Sequence, residues 1–240
     1  MAKIHVVHAH PEPRSFCTFM AHEAVRVLKL RGDDVTFSDL YALDFDPVVR
    51  ASDFDKRANE DYLVYALEQR HAFEQDSLAP DIRREVQALL ASDTLVMVFP
   101  LYWFSVPALI KGWIDRCFLS GAMYGGKRIY GRGGMAGKRA VVGVSLGARE
   151  HMFGAHGIHG ELAGGMLRHL LQGTLGYVGY DVLEPFFAWH IPYCSADQRE
   201  DTLIRWREYV ANLDARPAMP MPRFEGYDDV FRPLPRSASR

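Results

Sequence analysis

The stretch Thr94–Phe118, TLVMVFPLYWFSVPALIKGWIDRCF, decides how the rest of the chain is read. Its first six residues, Thr94–Phe99, form a continuous apolar run of strand length, the pattern of a strand buried on both faces. Pro100 and Pro107 then interrupt regular structure, and Pro107 suits the first position of a helix. From there Leu109, Ile110, Trp113, Ile114, Cys117 and Phe118 fall on one helical stripe. A buried strand, an irregular loop and an amphipathic helix make one unit of a parallel sheet.

The same alternation extends both ways. Lys3–Ala9 reads as a buried strand, followed by a polar turn over His10–Arg14. A helix capped by Ser15 carries Phe16, Met20, Ala24, Val27 and Leu28 on one side and ends at Gly32. Asp34–Leu40 is a second strand, and Ala42–Ala79 a long excursion with helical pieces. Pro80–Leu90 is a helix leading into the strand at Thr94. Beyond Phe118 the glycine-dense Gly121–Gly137 is a loop. Lys138–Leu146 is a strand, Glu161–Tyr177 a helix, Val182–Phe187 a strand and Ala196–Leu213 a closing helix. Five strands alternating with helices predict an α/β doubly wound five-stranded parallel sheet with helices on both faces. The organisation expected is one domain over residues 1–214 and a Pro-rich C-terminal tail over 215–240.

Composition excludes several classes. With 240 residues, 48% hydrophobic and 24% charged, the chain is of ordinary globular type. A net charge of −2 gives no general attraction to nucleic acid or acidic lipid. No apolar run is long enough for a membrane span, and the N-terminus lacks the apolar core of a signal peptide. Cys17, Cys117 and Cys194 form no CxxC pair and no zinc spacing, which suits a reducing, cytoplasmic location.

In doubly wound sheets ligands sit beyond the C-terminal strand ends, so three loops carry the search for chemistry. His8–Cys17 (HAHPEPRSFC) offers a helix N-terminus, the Ser15 hydroxyl, Arg14 and His10 to a phosphate, without the GxGxxG or P-loop patterns. An ordinary capped turn accounts for the same residues. Pro100–Pro107 places Tyr102, Trp103 and Phe104 in succession, suiting either a flat aromatic ligand or an apolar subunit contact. Ser145–Gly160 (SLGAREHMFGAHGIHG) brings glycines that permit close approach of a ligand, with His151, His156 and His159 among them. Their spacing matches no metal motif; a histidine beside a redox ring is the sharper reading.

Taken in order, HAHPEPRSF, SDLYALDFDP at Ser38–Pro47, FPLYWFSVPALIKGWIDRCF at Phe99–Phe118, GIHGE at Gly157–Glu161 and GYDVLEP at Gly179–Pro185 resemble the NAD(P)H quinone reductase (DT-diaphorase-like) family. The resemblance runs from about Lys3 to Leu213. It implies a flavodoxin-like fold, a cytoplasmic homodimer with FAD at each end of the interface, and ping-pong exchange in which NADPH or NADH leaves before a quinone enters. By position it implies that His10, Ser15, Phe16 and Cys17 hold the diphosphate region. Pro100, Leu101, Tyr102, Trp103 and Phe104 would bracket the isoalloxazine, while Ser145, Leu146, Gly147 and Ala148 meet its polar edge. Arg199 would hold the adenosine end. His159, Phe153 and Gly147 take the catalytic positions, and Trp103, Phe104, Tyr124 and Tyr177 the substrate pocket, Tyr124 reaching across from the partner subunit. Three positions depart from the mammalian pattern: Cys17 replaces Asn, Tyr102 replaces Gln, and Phe153 replaces a tyrosine that shares a proton relay with the histidine. The alternatives are an FMN-dependent azo, nitro or flavin reductase, an accessory protein of a potassium-efflux transporter whose tail serves docking, and a flavodoxin-like electron carrier.

Overall fold

The computed structural model describes residues 1–234. The sheet is built from β1 (Lys3–His8), β2 (Asp34–Asp39), β3 (Thr94–Pro100), β4 (Arg139–Ser145), β5 (Asp181–Val182) and β6 (Phe186–Ala188). Its order is β2-β1-β3-β4-β5, with β6 also pairing β4, and every pair is parallel. β5 and β6 are two halves of one strand position. β5 faces Arg139–Ala140 and β6 faces Gly143–Ser145, with Pro185, which has no N–H to give, between them. The single strand expected over Val182–Phe187 is broken there. The flavodoxin-like α/β sheet therefore has five positions, as the sequence predicts.

β3 shows why an all-apolar run is needed. Leu95, Met97 and Phe99 enter one core with α3 (Pro80–Ala91) and α4 (Ala108–Cys117), among Ile82, Leu89, Ile110 and Trp113. Val96 and Val98 enter the other, with α1 (Phe16–Leu30) and a later helix at Ala196–Ala211, among Met20, Leu28, Trp206 and Val210. Each face is covered, so alternation along the strand sends side chains into two cores rather than one core and water. Trp206 packs closely against Gly143, where any Cβ would come within 2.7 Å of its ring, and its indole N–H donates to the Met20 carbonyl at 2.8 Å.

α1 begins on Ser15, whose Oγ accepts the Thr18 N–H. It ends with Gly32 at φ +90, the Asp33 N–H returning to the Leu28 carbonyl and the Gly32 N–H to that of Lys29. That double closure needs the left-handed residue. The excursion between β2 and α3 contains α2 (Tyr65–Glu74) and is fastened by the buried Arg116. Its guanidinium holds both Asp53 oxygens (2.9 and 3.2 Å), Asp81 (2.6 Å) and the Asp46 carbonyl (2.8 Å), and Tyr65 donates to Asp53 at 2.6 Å.

The helix expected over Glu161–Tyr177 is a composite. Wide π turns at Leu162–Met166 and Leu171–Gly176 flank three α-helical residues, α5 (Arg168–Leu170). Gly164, Gly165, Gly173 and Gly176 lower the preference for regular α pitch. α6 (Ala196–Ala211) closes the fold, two residues shorter than expected. The Pro-rich tail lies on its own domain: Ala218 bridges Leu183, Met221 fills the space over Gly176, and the Arg132 guanidinium stacks 4.2 Å from the Phe224 ring. Residues 235–240 of the expected tail lie outside the described residues. No helix among the described residues is long and apolar enough to cross a membrane.

Candidate active site

β1 leads outward to β2 on one side of the sheet, while β3 lies on its other side. Chains leaving β1 and β3 therefore part, and a cleft of about 630 Å³ opens beyond their C-terminal ends and that of β4. His10, Ser15, Phe16 and Cys17 line it from the first loop. Pro100, Leu101 and Tyr102 line it from the second, and Ser145, Leu146 and Gly147 from the third. Arg199 closes the far end from the first turn of α6. The structure brings these expected residues into one place.

The first loop is a donor site. The Phe16 and Cys17 N–H groups, at the exposed end of the α1 dipole, have no acceptor among the described residues. Beneath them a polar chain fixes the turn: His8 Nε2 lies 3.0 Å from Thr18 Oγ1, and Thr18 Oγ1 2.9 Å from Ser15 Oγ. His8 Nδ1–H donates to the Val98 carbonyl at 2.9 Å, tying the loop to β3. His10 Nδ1 accepts the Glu12 N–H at 3.0 Å, which leaves the ring proton on Nε2. Burial pulls the His10 pKa below its ordinary value, so the ring is a neutral donor near pH 7. Burial pushes the Cys17 thiol up to about 12; it remains a protonated group beside Ser145 and not a nucleophile.

The second loop is a reversed turn. The Tyr102 N–H donates to Ser105 O at 3.0 Å and the Ser105 N–H to Tyr102 O at 2.9 Å, with Trp103 at φ 51 and Phe104 at φ 56 between them. Such a turn is normally the province of Asn and Gly. Here it carries two aromatics, Trp103 being 95% exposed. Phe104 packs toward the third loop, 5.1 Å from His159 and 6.2 Å from Phe153 between ring centroids. Phe153 and His159 are themselves 5.1 Å apart, and Trp189 adds a ring 5.4 Å from Phe153. On that loop the Gly147 and Ala148 N–H groups have no acceptor among the described residues.

A match to the family described as flavodoxin-like fold covers residues 2–210. NAD(P)H dehydrogenase (quinone) 1 of Cavia porcellus is 34% identical over 209 residues, covering 87% of this chain and 76% of the relative. Ribosyldihydronicotinamide dehydrogenase (quinone) of Homo sapiens is 35% identical, covering 88% and 91%. This chain belongs to the flavodoxin-like NAD(P)H quinone oxidoreductase family. The crystal structure of a Klebsiella pneumoniae protein assigned to the quinone reductases superposes with a TM-score of 0.89 at 32% identity, over 95% of this chain and 91% of that one. The chain is a NAD(P)H dehydrogenase (quinone)-like oxidoreductase of flavoenzyme type.

Not every expected residue of this quinone oxidoreductase meets at the cleft. Tyr124 and Tyr177 pair with each other, centroids 5.8 Å apart, in a separate groove with Ile114 and Phe118. His151 and His156 are exposed on the third loop. Other cleft residues went unnoticed in the sequence. Phe19, one turn beyond Phe16, and Ile191 and Pro192, just before α6, line the wall, with Glu200 beside Arg199. One signal was available: Ser195 and Gln198 form a reciprocal capping box, Ser-x-x-Gln, that sets the start of α6 and so the place of Arg199.

Proposed function

We propose that the cleft holds FAD and that the protein reduces quinones by two electrons, taking hydride from NADPH or NADH and passing it on in a ping-pong cycle. The observation that carries this is the convergence of three unlike features in one cleft. It joins free N–H donors on a capped helix start, free N–H donors beside glycine on the third loop, and an aromatic turn between them. A diphosphate, the polar edge of a ring and the face of that ring need these in this order. Bound there, the flavin would accept and release hydride.

The residues supply binding and charge control. Phe16 N–H, Cys17 N–H, Ser15 and His10 would meet the diphosphate, and Arg199 the adenosine end. Leu101, Tyr102, Trp103 and Phe104 would hold the ring plane and exclude water from it. Gly147 and Ala148 N–H would stabilise negative charge at the ring's polar edge, with His159 as a donor beside them. Phe153 cannot donate, so any proton reaching that edge comes through His159 or water. The exposed apolar residues Tyr62, Leu63, Val64 and Leu67, together with Trp103, support a homodimer in which the partner subunit completes the substrate pocket with its Tyr124.

A second reading keeps the site and replaces FAD by FMN. The structure of general stress protein 14 from Treponema denticola, 25% identical with a TM-score of 0.62, is a complex with FMN. Mass spectrometry of the released cofactor separates the two readings. Anaerobic reduction of the purified yellow protein by each nucleotide, followed by a quinone panel, tests the activity. Failure of both nucleotides to bleach the protein would refute the proposal.

A further inference from the structure

We propose that His190 is a positioning residue that turns the Gly147–Ala148 peptide, so that two successive N–H groups point across the cleft. The inference rests on the flavin reading only for what those donors serve.

Successive residues of a strand direct their backbone groups alternately to the neighbour on either side. Leu146 continues β4 in this way: its N–H donates to the Ala188 carbonyl at 3.0 Å, and its carbonyl accepts the Ile191 N–H at 2.9 Å. Both bonds lie on the β6 side. Gly147 should then direct its N–H and its carbonyl to the opposite side, toward the loop after β3. Its carbonyl would confront the electron-rich edge of any ring held there. Instead the Gly147 carbonyl lies 2.9 Å from His190 Nδ1, back on the β6 side. A carbonyl only accepts, so Nδ1 carries the proton.

In a trans peptide the N–H points opposite to the carbonyl. Turning Gly147 O toward His190 therefore turns the Ala148 N–H toward the loop after β3, beside that of Gly147. Neither has an acceptor among the described residues. The backbone N–H of His190 secures the next carbonyl, Ala148 O, at 2.9 Å. Two adjacent N–H groups on one side form a concave anion site.

His190 itself is strained into this place. It sits at φ 59, ψ 25, a region that side chains rarely adopt. A glycine would satisfy the backbone and offer no ring N–H. The ring is braced by Tyr193, 5.2 Å away between centroids, and Tyr193 also stands 3.5 Å from where a Cβ on Gly147 would lie.

The test compares His190→Leu with His190→Asn. Asn tolerates the left-handed backbone and places an N–H donor near the position of Nδ1. In cofactor-free protein, nitrogen-15 amide spectra should show the Ala148 resonance shifted in His190→Leu and restored in His190→Asn. In flavin-loaded protein, His190→Leu should lose about three- to tenfold of the preference for reduced over oxidised cofactor, the size of one hydrogen bond. That is about 15–30 mV on a two-electron couple, and His190→Asn should recover it. An unchanged Ala148 amide and unchanged potential in His190→Leu would overturn the proposal, as would a His190→Asn variant no better than Leu. If the wild-type protein retains no flavin, it is the flavin reading that fails, and the amide spectra decide the role of His190 alone. His190→Ala substitutes if the Leu variant does not fold.

Discussion

Replacing Trp103 by Asn should stabilise the cofactor-free protein while impairing its hold on the flavin. Trp103 occupies the first central position of the Tyr102–Ser105 turn at φ 51, and a left-handed backbone costs an ordinary residue about 1–2 kcal/mol. The indole recovers none of this within the chain, because 95% of the residue is exposed. Asn is the residue that tolerates this geometry best after glycine, without glycine's added freedom in the unfolded chain. The expected gain is about 0.5–1.5 kcal/mol, or a Tm increase of about 1–6 °C for a chain of this size. Scanning calorimetry of protein stripped of cofactor measures it, and the fraction of flavin retained on gel filtration should fall in the same variant. A Tm that falls in the stripped protein would refute the assignment of strain. Phe104→Gly gives the contrast. Its φ of 56 is relieved too, yet its ring contacts with His159 and Phe153 are lost, so Tm should drop.

Arg116→Met should cost about 3–5 kcal/mol in urea unfolding, because it leaves the buried Asp53 carboxylate without its bidentate partner; a loss under 1 kcal/mol would show that water reaches Asp53. Burial lowers the His5 pKa from 6.5 to about 4, so the unfolded chain binds the extra proton between those values. Stability should rise with pH from about 4 to 6.5 by about 3 kcal/mol at most, and a His5→Gln variant should flatten that slope. His159→Leu, which removes the ring donor, should leave flavin content near normal and slow flavin reduction about tenfold or more, the loss of one donor to developing charge; unchanged stopped-flow kinetics would remove His159 from the reaction.

The legibility of the chain differed by element. β1, β3 and β4 could be read from apolar runs because both faces of each are covered, a condition that leaves its mark on every residue. α1 was readable at both ends, since Ser15 and Gly32 act through neighbours a few residues away. The composite helix at Leu162–Gly176 and the break at Leu183–Pro185 were not. The glycines weaken regular α pitch without specifying the wider turn, and Leu171–Gly176 also packs against β5 and, at Gly176, against Met221 of the tail. In the cleft, the loop residues His10 to Cys17, Pro100 to Tyr102 and Ser145 to Gly147 could be named from their place after strands. Phe19, Ile191 and Pro192 could not, because they arrive from a helix face and from the far end of the chain.

By itself the sequence determined the doubly wound sheet, its switch point and the three loops that meet there. Periodicity and turn chemistry are short-range, and their physical causes lie within a few residues. Only the tertiary structure decided which way the loops' polar groups face. The Gly147 peptide is turned by a ring 43 residues away, and Trp103 and Phe104 are held in a reversed turn that their own preferences oppose. Peptide direction depends on which partner is present across space, and that partner is fixed only when the strands have been laid side by side.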